Sequence, residues 1–439
     1  MKHKVINFLK STKPFFKKFE FFLNRTKKSF KTQLKLHSKS NIFTYFVMKN
    51  KSNTLEKMKI ETLLANLAQN SGFKDPYGAS HFPIYNTATF DLKKQEGNDT
   101  IYDYSRSDNP TRNALENIFA KAENGFGCVC TNTGIAAISV LFETVLKNGD
   151  TVLVENDSYG GTYRLLKVLA EKNDIKTIYT DFTNLNLVEE ELKNNKIALV
   201  LCESPTNPSL KIIDLEAIAV LSKKYNTLFA VDNSMCTFAS QKALDLGADI
   251  SFFSTTKFIS GHGSVIAGAV VSKTEELHQK VRFYANAYGN AQSPMDVFLT
   301  SLGLPTLVYR MKAQEESALK IAKFLKTFPQ IKSVKFPALE DFEQKELAKK
   351  QMSIVPAVLT IQLENEEAAN KLISNTKLFG KKVSFGTSDS RLEIPAQMSH
   401  ATNSKDSLDS KGIDNATVRV SIGLENTEDL IEDLSQALQ

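Results

Sequence analysis

Three short apolar runs in this 439-residue chain each end in a cluster of reactive side chains. ALVLC (198–202) is followed by Glu203, Ser204, Pro205, Thr206, Asn207 and Pro208. LFAV (228–231) is followed by Asp232, Asn233 and Ser234. DISFF (249–253) is followed by Ser254, Thr255, Thr256 and Lys257. A lysine amine condenses with an aldehyde to an imine. A carboxylate keeps a pyridine nitrogen protonated, so that the ring draws electrons from whatever is attached to it. Hydroxyls, backbone N–H groups and a helix start hold a phosphate. Lys257, Asp232, Ser254 and Thr256 supply the first parts. Thr133-Gly134-Ile135, opening a helix-like stretch, supplies the last, and Gly134 lets the backbone approach the phosphate. These are the needs of pyridoxal phosphate, PLP. For an acid and a lysine on neighbouring strand tips, the plainer alternative is a salt bridge at the rim of a sheet.

The three tips can meet only if their strands lie side by side, because ligands of an open α/β sheet bind outside the carboxyl ends of the strands. Strands are expected at 127–131, 151–155, 175–180, 197–202, 228–232, 249–254 and 264–271. Helix-like stretches lie between them. In 134–147, Ile135, Ile138, Leu141, Phe142 and Val145 recur at steps of three and four. In 214–225, Leu215, Ile218, Ala219 and Leu221 form a similar stripe, with Asp214 placed as its cap. Such alternation predicts a mostly parallel sheet of seven strands covered on both faces. Past residue 305 the pattern changes. A long helix (306–327), strands at 358–363, 381–385 and 418–423, and helices at 366–373 and 427–438 predict a smaller α+β domain, with a polar loop at 400–415. The domain reading is an N-terminal extension at 1–57, an arm at 58–109, a large domain at 110–305 and a C-terminal domain at 306–439.

These residues match a known pattern. SFFSTTKFISGHGSVIAGAVV (251–271) resembles the PLP-lysine signature of the Cys/Met metabolism enzymes, which include cystathionine γ-synthase, cystathionine γ-lyase, methionine γ-lyase and O-acetylhomoserine sulfhydrylase. YSRSDNPTRNALE (104–116), SYGGTYRLL (158–166), ESPTNPSLKIIDLEAIA (203–219), VDNS (231–234), PAQMSH (395–400) and VRVSIGLENTEDLIEDLSQAL (418–438) are similar to its members in the same order. The resemblance covers nearly all of 58–439 and implies a PLP-dependent transferase of fold type I. It implies that Lys257 is the Schiff-base lysine and proton shuttle, and that Asp232 pairs with the pyridine nitrogen. Tyr159 would stack on the ring and act as an acid or base, and Asn207 would contact the ring's 3-oxygen. Gly134 and Ile135 N–H groups, with Ser254 and Thr256 hydroxyls, would hold the phosphate. Tyr104 and Arg106 would reach the phosphate of a neighbouring subunit, which implies a dimer, assembled in pairs as a tetramer. Arg419, aided by Ser384, would clamp the substrate carboxylate with a bidentate guanidinium.

Other residues receive structural readings. His262 and His400 stand outside the chemistry that the family assigns to lysine and tyrosine. GHGSVIAG (261–268) lacks the GK[ST] of a nucleotide loop and reads as turn and strand. Cys128 and Cys130 fall in an expected strand and read as buried apolar residues, and with no CxxC pair in the chain neither a metal site nor a disulfide framework is expected. Glu203 is expected to orient its neighbours by hydrogen bonds.

The net charge of +6 is uneven. Residues 1–57 carry 15 Lys/Arg against 2 Asp/Glu, and the remainder is net −7, so the body offers no basic surface for nucleic acid. The basic segment is read as a disordered extension or as translated upstream sequence, with Met48 or Met58 as the start. Competing readings are a targeting peptide, disfavoured by its single Arg25, and a membrane-surface helix. No run reaches the ~18 apolar residues of a membrane helix. A cytoplasmic enzyme acting on an amino acid and a thiol is the expectation.

The catalytic set is common to γ-replacement and γ-elimination. Val383 precedes Ser384 where cystathionine-handling members often carry Glu, and Gly161 stands where methionine γ-lyase carries Cys. TSDSRL (387–392) departs from the common GxESLI, and Arg391 there would meet an anionic leaving group or face solvent. The sequence therefore leans to γ-replacement on an O-acylhomoserine, with a cystathionine or methionine γ-lyase as the alternative. An aminotransferase would share Asp232 and Lys257 but should carry an arginine shortly after the lysine, where this chain has Phe258-Ile259-Ser260-Gly261-His262. A PLP-free binding protein would not need Lys257, Asp232, Tyr159 and Arg419 together.

Overall fold

A strand covered on both faces reads as an unbroken apolar run, as at Val152–Val154 and Leu199–Cys202, and these inner runs pair with the half-exposed edge strand Lys176–Thr180 in one sheet of seven strands between residues 127 and 272. The computed structural model describes residues 58–95, 100–401 and 412–439; the 1–57 extension and most of the loop expected at 400–415 lie outside the described residues. The chain divides into two units, Met1–Met58 with Asp91–Ile101, and Lys59–Phe90 with Tyr102–Gln439. In the first, Leu92–Gln95 form a 3-10 turn. The second contains both sheets.

The large sheet is ordered β1 (Gly127–Thr131), β7 (Gly268–Ser272), β6 (Ile250–Phe253), β5 (Leu228–Asp232), β4 (Ile197–Glu203), β2 (Thr151–Glu155), β3 (Lys176–Thr180). β7 runs against its two neighbours, and the other pairs are parallel. The carboxyl ends of β4, β5 and β6 therefore share one edge, and the registers place Glu203 opposite Asp232 and Asp232 opposite Phe252. β7 begins at that edge, with Gly268 facing Thr131. Its core joins Val154, Leu199, Leu201, Ala230, Phe252 and Val270 to the apolar stripe of α2 (Gly134–Val145), contributed by Ile138, Leu141 and Phe142. Thr133 caps that helix by accepting from Ala136 N, and Asp214 caps α4 (Leu215–Lys224) by accepting from Ala217 N, as its position foretold. α1 (Pro110–Ala122) and α3 (Gly160–Asn173) complete the set used below.

The smaller sheet is ordered β10 (Gly380–Lys381), β11 (Arg391–Glu393), β12 (Thr417–Ser421), β9 (Val358–Leu363), β8 (Ile331–Lys335), antiparallel except for β10 with β11. Helices α5 (Leu307–Leu325), α6 (Glu366–Asn375) and α7 (Thr427–Leu438) bury Ile321, Leu372, Leu430 and Leu434 against it.

Two expected strands are corrected. The run 264–271 pairs only from Gly268 onward, because Thr256 exchanges hydrogen bonds with Ala267 and holds the preceding residues as a loop. The run 381–385 pairs only through Gly380–Lys381; Ser384 then takes φ +81° and Gly386 φ +75°, values that break a strand. Both interruptions lie at the carboxyl edge of the large sheet, where they serve the site.

A Cβ at Gly268 would lie 2.5 Å from Thr133 O and 2.9 Å from Gly134 Cα. Strand β7 thus supports the turn that opens α2 from behind. Gly268→Ala is expected to overpack this contact at a cost of about 1–3 kcal/mol. Urea unfolding should show a lowered midpoint with an unchanged slope; an unchanged midpoint would mean that the turn yields freely.

Candidate active site

A cavity of about 530 Å³ opens at this edge, and ten of the twelve residues singled out from the sequence line it: Gly134, Ile135, Tyr159, Asn207, Asp232, Ser254, Thr256, Lys257, Ser384 and Arg419. Tyr104 and Arg106 do not. Both are exposed, and Arg106 donates to Asn286 Oδ1 at 3.1 Å and lies over the Tyr104 ring.

Lys257 follows β6 by four residues. Its Nζ donates to Ser384 Oγ at 2.6 Å and sits 4.9 Å from the Phe385 ring centroid. Burial, reinforced by the Arg419 and Arg391 cations, lowers its pKa to about 8 against the counter-pull of Glu393 and Asp232. Asp232 ends β5. Burial pushes its carboxyl above the usual range, opposed by hydrogen bonds from Ser234, whose N–H meets Asp232 Oδ1 at 3.0 Å. The Ser234 hydroxyl in turn accepts from Ser254 N at 2.8 Å, so one serine links the two strand tips.

Arg419, on β12, is the second cation of the cavity. Its Nη1 reaches Asn207 Oδ1 and Glu393 Oε1, each at 3.0 Å, and its Nη2 donates to Ser384 O at 2.7 Å. The Arg419–Glu393 pair is almost fully buried, at 2% and 1% exposure. Arg419 Nε is buried with no hydrogen-bond partner among the described residues. Its free donors are therefore Nε–H and the second Nη2 hydrogen, the side-on edge that suits a carboxylate. Asn207 is itself fixed on both sides. Glu203 Oε1 accepts its N–H at 2.7 Å, as expected of Glu203, and His400 Nε2 meets its carbonyl at 3.1 Å.

The helix start is shaped for a close ligand. A Cβ at Gly134 would lie 2.8 Å from Ser254 Cβ, so only glycine lets α2 begin against Ser254. The first N–H groups of a helix have no intrahelical acceptor and face outward as donors. The Thr256 hydroxyl is engaged on both sides by Ala267, donating to its carbonyl and accepting its N–H. Tyr159 precedes α3 with its ring over Gly161, where a Cβ would come within 2.3 Å of Tyr159 Cε1. Gly161 therefore permits this placement of the ring.

Three supporting residues were not legible. Glu393 sits in the three-residue strand β11, too short for any periodicity. Ser234 looked like one more turn residue. Arg310, on α5, gives its guanidinium to Phe258 O, Ile259 O and Gly303 O, with Gly261 (φ +67°) leaving room for it. Its link to the segment after Lys257 spans 51 residues or more. Arg391 neither faces solvent nor lines the cavity: its Nη2 pairs with Asp389 at 2.8 Å and its Nη1 donates to Val383 O at 3.2 Å. Among the described residues no group of His, Cys, Asp and Glu could hold a metal, and all four cysteines are buried and unpaired.

A mostly parallel sheet with a lysine after one strand, an aspartate at the end of the next and a helix start beside both defines a PLP-dependent enzyme of fold type I. The glycine cradle at Gly134, with Lys257 and Asp232 lining the same cavity, fits that cofactor. The chain belongs to the Cys/Met metabolism PLP-dependent enzyme family, which it matches over residues 61–439. It is 36% identical over 362 residues to a cystathionine γ-lyase of Bacillus subtilis, covering 82% of this chain and 95% of that protein. It is 39% identical to an L-methionine γ-lyase of Fusobacterium nucleatum subsp. polymorphum, over 83% of this chain and 95% of that one. A crystal structure of cystathionine γ-synthase from Xanthomonas oryzae pv. oryzae, in complex with aminoacrylate and cysteine, superposes with a TM-score of 0.83 at 37% identity, covering 87% of this chain and 98% of that chain. The chain is thus a PLP enzyme acting on sulfur amino acids.

Lys257 binds its proton less tightly in the folded chain than in the unfolded one. Its burial therefore costs stability wherever it is charged in both states, below about pH 8, and the cost fades as pH rises toward the ordinary value of 10.5. In the cofactor-free protein, Lys257→Met should be more stable than the parent at pH 7 by about 2 kcal/mol. That gap should close toward pH 10.5, as read by denaturant midpoints at several pH values. A gap that widens with pH would contradict this reading.

Proposed function

We propose that the enzyme catalyses γ-replacement on an O-acylated homoserine, joining a thiol to Cγ. When bound, PLP supplies an electron sink for the charge left at Cα. Lys257 would hold the cofactor and carry protons between carbon positions of the substrate. A pKa of about 8 leaves part of its amine unprotonated near neutral pH, as a general base requires. Asp232 would face the ring nitrogen, a cation that would favour the aspartate's ionised form against the effect of burial. Asn207 would contact the 3-oxygen, and Tyr159 would cover the ring and exchange protons with the substrate amine. Gly134 and Ile135 N–H groups with the Ser254 hydroxyl would receive the phosphate, and the Thr256 hydroxyl would join them by turning its one proton away from the Ala267 carbonyl. Arg419 would hold the substrate carboxylate on its free side-on edge, with Ser384 keeping that edge in place.

Tyr104 and Arg106, remote from the cavity of their own chain, are assigned to the phosphate of a neighbouring subunit. Tyr77, Phe283, Tyr288 and Tyr309, exposed between 59% and 93%, support a second copy and a dimer of dimers. No helix among the described residues is long and apolar enough to cross a membrane. The compartment proposed is the cytoplasm.

The observation that carries the choice of substrate is Val383, which lines the cavity at 52% exposure beside Ser384. The carboxylates on the cavity wall are Glu203, committed to Asn207 N, and Asp232. A distal ammonium such as that of cystathionine would lack a partner, whereas an acyl ester needs none. The names of the curated relatives given above favour a second reading, γ-elimination to 2-oxobutyrate, ammonia and a thiol.

The test is mass-spectrometric product analysis of the purified enzyme with O-acetylhomoserine plus sulfide and cysteine, and with methionine and cystathionine separately. Homocysteine as main product is expected, with cystathionine the lesser one because its distal ammonium lacks a partner; mostly 2-oxobutyrate would establish the lyase. Val383→Glu should raise kcat/KM for cystathionine relative to O-acetylhomoserine by about two- to fivefold, the worth of one exposed charge pair. An unchanged ratio would mean that the distal group lies elsewhere.

A further inference from the structure

Ser384 has an unusual burden. Its backbone lies at φ +81°, a region that costs a non-glycine residue about 1–3 kcal/mol and persists only where surrounding contacts enforce it. Its hydroxyl accepts from Lys257 Nζ and its carbonyl accepts from Arg419 Nη2. Neither of these bonds reaches the peptide that enters the turn. That peptide ends in the Val383 carbonyl, which accepts from Arg391 Nη1 at 3.2 Å.

Arg391 is itself held. Its Nη2 pairs with Asp389 at 2.8 Å, and Asp389 also takes Lys382 Nζ at 3.0 Å, so that these cations hold the Asp389 carboxyl well below its usual range. The Arg391 side chain is only 13% exposed, and its Nε is buried without a hydrogen-bond partner among the described residues. A Cβ at Gly263 would lie 3.5 Å from Arg391 Nη2, so the guanidinium also abuts the glycine turn that follows Lys257. On the other side of the same turn, Gly386 packs directly on Phe258. Arg391 therefore lies between the loop that carries Lys257 and the turn that carries Ser384, and it bonds the carbonyl on which the turn's conformation depends.

We propose that Arg391 is a positioning residue of this site, fixing the left-handed Val383–Ser384 turn so that one serine orients both Lys257 and Arg419. Leucine, the residue of the common GxESLI pattern at this position, could fill the space but could not hold the carbonyl. The inference rests on the roles proposed above for Lys257 and Arg419.

The experiment is a double-mutant cycle on the holoenzyme, with R391L, S384A and the pair. It reads kcat and KM for whichever of O-acetylhomoserine, methionine or cystathionine the parent turns over, the dissociation constant for PLP, and the thermal midpoint. R391L is expected to raise KM about tenfold and to lower kcat, as slight misplacement of aligning groups does. PLP affinity should fall as well. R391K, which keeps the charge but cannot span Val383 and Asp389, should recover only part of the loss. R391L added to S384A should cost little more than S384A alone, because both act through one hydroxyl and one turn. Parental KM, kcat and PLP affinity in R391L, or fully additive losses in the pair, would overturn the proposal. If R391L does not fold, D389N tests the same chain of contacts and should move the same constants in the same direction; parental constants there would overturn it equally. A parent inactive on all three substrates would sink the functional reading alone, and PLP affinity would still decide the clamp.

Discussion

Two cations buried against one serine set the terms for this molecule. Lys257 and Arg419 approach the hydroxyl and the carbonyl of Ser384, and both lie about 5 Å from the Phe385 ring centroid. Like charges confined this closely and away from water would expel each other or lose their protons. Lys257 does the latter in part, titrating near 8, while Arg419 is kept charged by the buried Glu393. A free lysine amine beside a guanidinium with one uncommitted edge is what an enzyme of amino acids needs. The amine can be both nucleophile and base, and the guanidinium can hold a carboxylate. The cost of assembling them is met by the hydrogen bonds that converge on Asn207, Ser384 and Glu393.

Each sheet supplies one cation. β6 leads to Lys257, and β12 carries Arg419. The breaks that interrupt the expected strands, before Gly268 and after Lys381, are where the two sheets' loops turn inward to meet. Thr256 closes one break by binding Ala267, and Ser384 occupies the other with a backbone that only its neighbours make tolerable. Regularity ends where the chemistry begins, as is common when a scaffold gives up pairing to aim side chains.

Much of this was legible. The inner strands of the large sheet could be read from apolar runs, since burial on both faces leaves little room for polar residues, and Asp214 marked its helix as a cap. Ten site residues meet in one cavity because nine of them end or follow a strand at the carboxyl edge, open a helix there or lie on a turn facing it, and Arg419 reaches it from within β12. Residues whose role depends on distant partners were not legible. Arg310 reaches back to Phe258 from α5, and Glu393 lies in a strand of three residues; no local pattern announces either. The departure at Arg391 was visible as a departure, but its meaning needed the Val383 carbonyl in place. The 381–385 run read as a strand because Val-Ser-Phe alternates correctly, and alternation carries no sign of a positive φ.

The central claim, that Lys257 is the amine committed to the cofactor, can be tested on the purified protein by borohydride reduction after saturation with PLP, followed by peptide mass mapping. A single pyridoxyl adduct on Lys257 is predicted. An adduct on another lysine, or none with Lys257 unmodified, would contradict the account.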